Sequence, residues 1–147
     1  MLSFLSQMLN RGVFKNAFSI ALLEFLIMAM TWELVKQVIE SINTSRETAI
    51  KIGTENAHED YMFVTETRMA VGEEVIEEWE QEFEKDKYRI KDYKLIHEDQ
   101  DIILWKELGS YGDGKRVIKT VSMFLREGKI WRETENRRFV EDKETLS

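Results

Sequence analysis

Apolar and polar residues follow three different rhythms along the chain. From Ala17 to Trp32 the sequence reads AFSIALLEFLIMAMTW, an apolar run interrupted among charged groups only by Glu24. Leu34, Val35, Val38, Ile39 and Ile42 carry helical spacing past Trp32. Thr44 with Glu47 has the form of a capping box, which predicts a break or restart near Asn43, and Gly53 predicts a stop. Tyr61–Thr67 is short and rich in aromatic and β-branched residues, which favours a strand. Around Gly72, Val71, Val75, Trp79 and Phe83 recur every four residues and predict an amphipathic helix.

From Tyr88 onward the period becomes that of a sheet. Tyr88–His97 is followed by the polar turn Glu98–Asp101, the dense apolar strand Ile102–Leu108 and the turn-forming run Gly109–Gly114. Val117, Val121, Met123 and Leu125 then occupy mainly one side of a strand, Arg126–Lys129 turns, and Ile130–Phe139 returns. The expected fold class is α+β: a long hydrophobic N-terminal helix, then an amphipathic helix packed on a four-stranded antiparallel meander between Tyr88 and Phe139. Two parts are expected, a membrane-associated helical segment over 1–34 and an α+β domain over 35–147.

Composition narrows the function classes. The chain has 147 residues, enough to bury a core without covalent staples. With no cysteine, disulfides and thiolate metal sites are excluded, and no cofactor is expected. The net charge of −7 argues against nucleic-acid binding through a basic surface. The acidic excess lies beyond Ser41, so the apolar N-terminal part is neutral.

For Ala17–Trp32, insertion energetics balance. Leu, Ile and Phe side chains contribute about −3.5 kcal/mol, against roughly +2.5 to +3.5 kcal/mol for the acid at Glu24. Arg11 and Lys15 before the run favour a cytoplasmic N-terminus with the C-terminal domain outside. The alternative is a soluble cytoplasmic protein with the run buried as a core helix. No small-x-small site follows the run, so a cleaved signal peptide fits poorly. Phe18, Glu24 and Trp32 are the candidate membrane or assembly residues, because an acid inside an apolar span needs a partner.

Candidate chemistry is sparse. Gly109–Lys115 matches the opening G-x-x-x-x-G-K of a phosphate loop, but Arg116 stands where a magnesium-binding hydroxyl is needed and a strand follows, so a hairpin turn is expected. His58-Glu59-Asp60 and His97-Glu98-Asp99 repeat a tripeptide. His58, Asp60, His97, Asp99 and Asp101 would form a divalent-metal set if Tyr61–Thr67 paired near the start of Ile102–Leu108. The plainer expectation is solvated turns. No nucleophile–base arrangement is legible, and no enzymatic activity is expected. The helix after Gly72 is strongly acidic, whereas the last two strands carry Arg116, Lys119, Arg132, Arg137 and Arg138. Such patches suit self-association or a protein partner.

The order of elements from Val35 to Phe139, ending in a hairpin through Glu127-Gly128-Lys129-Ile130-Trp131, resembles the NTF2-like cone fold. With a hydrophobic helix before it, the chain is similar to VirB8-type subunits of conjugative secretion systems, which implies a non-enzymatic membrane-anchored scaffold. Lys15–Glu24 also looks like the start of a type IV or competence minor pilin. The function expected is therefore assembly through protein partners at a membrane. The alternatives are an NTF2-like domain binding a small ligand, a minor pilin, and a phage or plasmid accessory inhibitor.

Overall fold

The computed structural model describes residues 29–84 and 88–146. Helix α1 spans Trp32–Ile42 and is N-capped by Thr31, whose extended backbone (φ −133°, ψ 165°) separates it from the residues before it. The helix expected to run on unbroken through Trp32 is therefore not formed there. Met30 instead enters the core, and its N–H bonds to Gly128 O at 2.7 Å. Val35 and Ile39, one turn apart, are the buried face of α1. Its end at Asn43 is tied sideways: Asn43 Nδ2 donates to Ile90 O (2.8 Å) and Ile90 N–H donates to Asn43 Oδ1 (3.1 Å).

Helix α2, Arg46–Glu55, starts after Ser45 and not after Thr44. Gly53 does not stop it. The glycine is buried inside the helix, where a Cβ would stand 2.6 Å from Trp79 Cζ3, so its missing side chain lets the next helix approach. That helix, α3, spans Glu73–Glu84 after Gly72, whose φ of +59° suits glycine. Val75 is fully buried, and the Trp79 ring packs 5.6 Å from that of Tyr61.

Six strands form one curved sheet: β1 (Ala57–Thr65), β2 (Met69–Val71), β3 (Arg89–Glu98), β4 (Ile102–Ser110), β5 (Arg116–Arg126) and β6 (Lys129–Val140). The order is β2-β1-β6-β5-β4-β3. Strands β3 to β6 are the expected antiparallel meander. The sheet extends beyond this meander through β1, the strand expected near Tyr61–Thr67, which lies parallel to β6 in register Phe63↔Glu133 and Thr65↔Glu135, and through β2 beyond it, which the sequence pattern does not predict. The β5–β6 hairpin turns through Glu127 (φ 54°) and Gly128 (φ 76°), two left-handed residues as its tight two-residue loop requires. One face of the sheet carries Trp105, Glu107, Lys119, Val121, Met123, Glu133 and Glu135 toward the helices. The cover is shared by the three helices of the described residues and is not the acidic α3 alone.

Candidate functional site

Two adjoining cavities lie between this sheet face and the helices. The inner one is about 90 Å³, roofed by Val35, Ile39, Ala49, Gly53 and Trp79 and floored by the strand residues just named. The outer one, about 560 Å³, opens at the ends of β1 and β4, where Arg68, Glu78, Tyr111, Asp113 and Arg137 form its rim. Phe63, Tyr88 and Glu135 line both, so they stand where the two cavities adjoin.

Strand parity places charge in this interior. On β5 the inward positions are Val117, Lys119, Val121, Met123 and Leu125, so Lys119 interrupts an apolar row. Lys119 sits opposite Glu107 on β4 and Arg137 on β6. It is 3% exposed, and its ammonium lies 3.2 Å from Glu135 Oε2 and 3.8 Å from the centre of the Tyr88 ring. Glu135 also pairs with Arg137, which in turn donates to Tyr111 Oη at 3.1 Å. Glu107, 5% exposed, accepts from Tyr88 O–H (2.8 Å) and from Trp105 Nε1–H (3.1 Å). Glu133 accepts from Tyr61 O–H at 2.9 Å.

Burial acts on these groups in one direction. Loss of hydration raises the Glu133 carboxyl from the ordinary 4.5 to about 8. The Tyr61 bond offsets this in part, and the nearby Glu135 and Glu107 add to it. Glu133 therefore holds a proton at neutral pH. Burial also raises Glu107, against the pull of Lys119 and of its two donors. The hydroxyls of Tyr61 and Tyr88, enclosed beside carboxyls, are pushed up too and stay protonated donors. The interior thus combines a neutral acid, two acids held by hydrogen bonds or ion pairs, one lysine and two phenols inside apolar and aromatic walls.

The residues singled out from sequence are placed as follows. Phe18, Glu24 and most of Ala17–Trp32 lie outside the described residues. Trp32 packs edge-on to Tyr93 at 6.0 Å and against Trp105 at 6.1 Å, so its ring belongs to the domain. Lys119 and Arg137 belong to the cavity and its rim. Arg116 donates to the carbonyls of Glu141 and Glu144, and Arg138 pairs with Glu144, so both hold the C-terminal segment. Arg132 is half-buried, and its Nε is enclosed without a hydrogen-bond partner.

The two His-Glu-Asp triplets do not meet. The pairing that would join them is not made, since β1 lies against β6 and β2, and three strands separate it from β3. Among the described residues, His58, Glu59 and Asp60 are the group that brings three ligand atoms within 4.8 Å of one another. His97 Nε2 lies 2.8 Å from Asp99 Oδ2, and Asp99 Oδ1 accepts from the N–H groups of Asp101 and Ile102, as a turn residue does. Gly109–Lys115 is the β4–β5 turn, with Asp113 Oδ1 accepting from Lys115 N–H at 3.0 Å. The residues that make the cavity polar (Tyr61, Tyr88, Glu107, Glu133, Glu135) escape motif reading. Parity gives a signal for Glu107 alone among these acids, as a charged side chain at an inward position of β4 beside Ile103 and Trp105; β6 is charged at successive inward positions and gives none.

No protein-family profile and no curated sequence matches the chain. Solved structures do. A candidate ketosteroid isomerase from Kribbella flavida matches with a TM-score of 0.56 and 17% identity, over 78% of this chain and 81% of its own. An NTF2-like protein from Cytophaga hutchinsonii gives 0.55 at 18% identity, over 76% and 91%. TerC, co-crystallised with polyporic acid, gives 0.54 at 16%, over 70% and 87%. The fold is an NTF2-like α+β fold. These likenesses carry the NTF2-like expectation and lend nothing to the VirB8-type or pilin one. No helix among the described residues is long and apolar enough to cross a membrane.

Proposed function

We propose that this domain binds a small, largely apolar molecule in the cone, with the polar end of the ligand among the interior carboxyls and phenols. The observation that carries the reading is the pair of adjoining cavities: the outer one meets, at Phe63, Tyr88 and Glu135, an inner one lined by Glu107, Glu133 and Glu135. Buried charge of this kind is costly to maintain in a core whose only task is packing. A concave apolar site with a few convergent polar groups is the usual form of a small-molecule pocket. The NTF2-like neighbours, which include a candidate isomerase and a protein crystallised with a small molecule, support the same reading. It replaces the membrane scaffold expected from sequence. It is a binding role, and it asks no bond-making of the site.

Trp79 and Trp105 line the inner chamber and report on its occupancy. Titration with a panel of small aromatic alcohols, ketones, amines and carboxylates is expected to change tryptophan emission saturably for at least one member. The same compound should raise the melting temperature by mass action. A panel that leaves both emission and melting unchanged at millimolar concentration overturns the proposal.

A further inference from the structure

The inner chamber holds one more carboxyl than its cations offset. Glu107, Glu133 and Glu135 line it, against Lys119 within and Arg137 at the rim. Both cations are drawn to Glu135, at 3.2 Å for Lys119 and in direct contact for Arg137. Glu107 is held by the Tyr88 hydroxyl and the Trp105 indole N–H. Glu133 accepts from one neutral hydroxyl, that of Tyr61, and Lys119 exerts only the smallest of the influences acting on it. The groups facing Glu133 are thus Tyr61 from β1, Glu107 from β4, Lys119 from β5 and Glu135 from β6. The helices present Val35, Ile39, Ala49 and Trp79, none of which titrates.

We infer that the ligand is a small amine, whose ammonium group settles beside Glu133 in the inner chamber. The inference rests on the ligand-binding reading above and specifies its chemistry. A third carboxyl among apolar walls must be neutralised, and the empty domain does this with a proton. An ammonium performs the same task and adds attraction to the aromatic rings of Trp79 and Trp105 that line the chamber. An anion would bring a further negative charge into a chamber that already holds three carboxyls. The outer cavity adds Glu66, Glu78 and Asp113 against Arg68; Glu78 is paired with Arg68 and Asp113 with Lys115, which leaves Glu66 as a further acid on the way in. Binding then follows a balanced exchange in which the ligand enters as its ammonium form, Glu133 becomes a carboxylate, and one proton leaves to solvent.

Three compounds of similar shape test this at pH 7: 2-phenylethylamine, 2-phenylethanol and phenylacetate, titrated calorimetrically into the full chain. The amine is expected to bind about tenfold or more tighter than the alcohol, and phenylacetate weakest. Comparing phosphate with Tris buffer should show close to one proton released per amine bound and none for the alcohol. Glu133→Gln keeps an acceptor for Tyr61 and removes the surplus charge. It should retain alcohol binding while losing the amine's advantage and its proton release, with folding verified by its melting curve. An alcohol or acid that binds as tightly as the amine, amine binding without proton release, or full amine affinity in E133Q overturns the amine inference and leaves ligand binding standing. Failure of all three compounds to bind overturns the amine inference, and the ligand reading is then decided by the wider panel above.

Discussion

At the scale of the residue, Glu133 couples burial to pH. Its folded-state carboxyl is raised to about 8 from an ordinary 4.5. The native state therefore binds a proton more readily than the unfolded chain does. Whatever stability this group contributes is fully present below about pH 4.5 and is lost as pH rises toward 8. Wild-type protein is expected to lose roughly 2–4 kcal/mol relative to E133Q between pH 5 and 9. Urea denaturation of both proteins across that range measures the difference, and parallel stability curves would contradict the assignment. Glu133 also marks where sequence reading stops. It stands in a run of mixed charges, Arg132 to Arg138, that reads as a solvated basic strand. Only pairing with β1 on one side and β5 on the other puts Glu133, Glu135 and Arg137 inside.

At the scale of the element, the contact of α2 with α3 depends on an absent side chain. Trp79 packs onto Gly53 and is held from the other side by Tyr61. Gly53→Ala gains helix propensity, yet its methyl group would fall 2.6 Å from the indole. A net loss of about 1–3 kcal/mol is expected, read as a lower denaturation midpoint with unchanged slope. From sequence, this glycine looks like a helix stop, because a glycine near the end of a periodic run carries that signal whether it ends a helix or admits a neighbour. The meander is legible because its signals are local: alternating apolar positions and turn residues at Glu98–Asp101, Gly109–Gly114 and Glu127-Gly128. Strand β1 is legible as a strand but not in its placement, since no local signal states that it pairs in parallel with a strand some seventy residues later. The same limit hides the cavity, whose walls come from four strands and three of the described helices.

At the scale of the whole molecule, the described fold begins at the residues just before α1. Met30 is buried in the core and Trp32 packs on Tyr93 and Trp105. Deleting residues 1–32 should therefore cost several kcal/mol more stability than deleting residues 1–28, on the order of the 2–5 kcal/mol typical of truncating large core side chains. Calorimetric melting of the two truncated chains tests this, and equal melting temperatures would place Met30 and Trp32 outside the core.

The sheet order has a consequence for how such a chain is made. Strand β6 is the last to be synthesised, yet it lies between β1 and β5. Until it emerges from the ribosome, each of those strands presents an unsatisfied edge, and the central slot of the sheet stands open. The nascent domain must keep two adhesive surfaces apart while awaiting a strand whose inward face bears Glu133 and Glu135. Closure therefore waits for the last of the six strands and uses contacts distant along the chain, which slows folding and lengthens the interval in which another chain's strand could take the slot. The charges that make the finished interior receptive to a ligand also make β6 a poor sequence for another chain to mimic, so they help reserve that slot for its own strand.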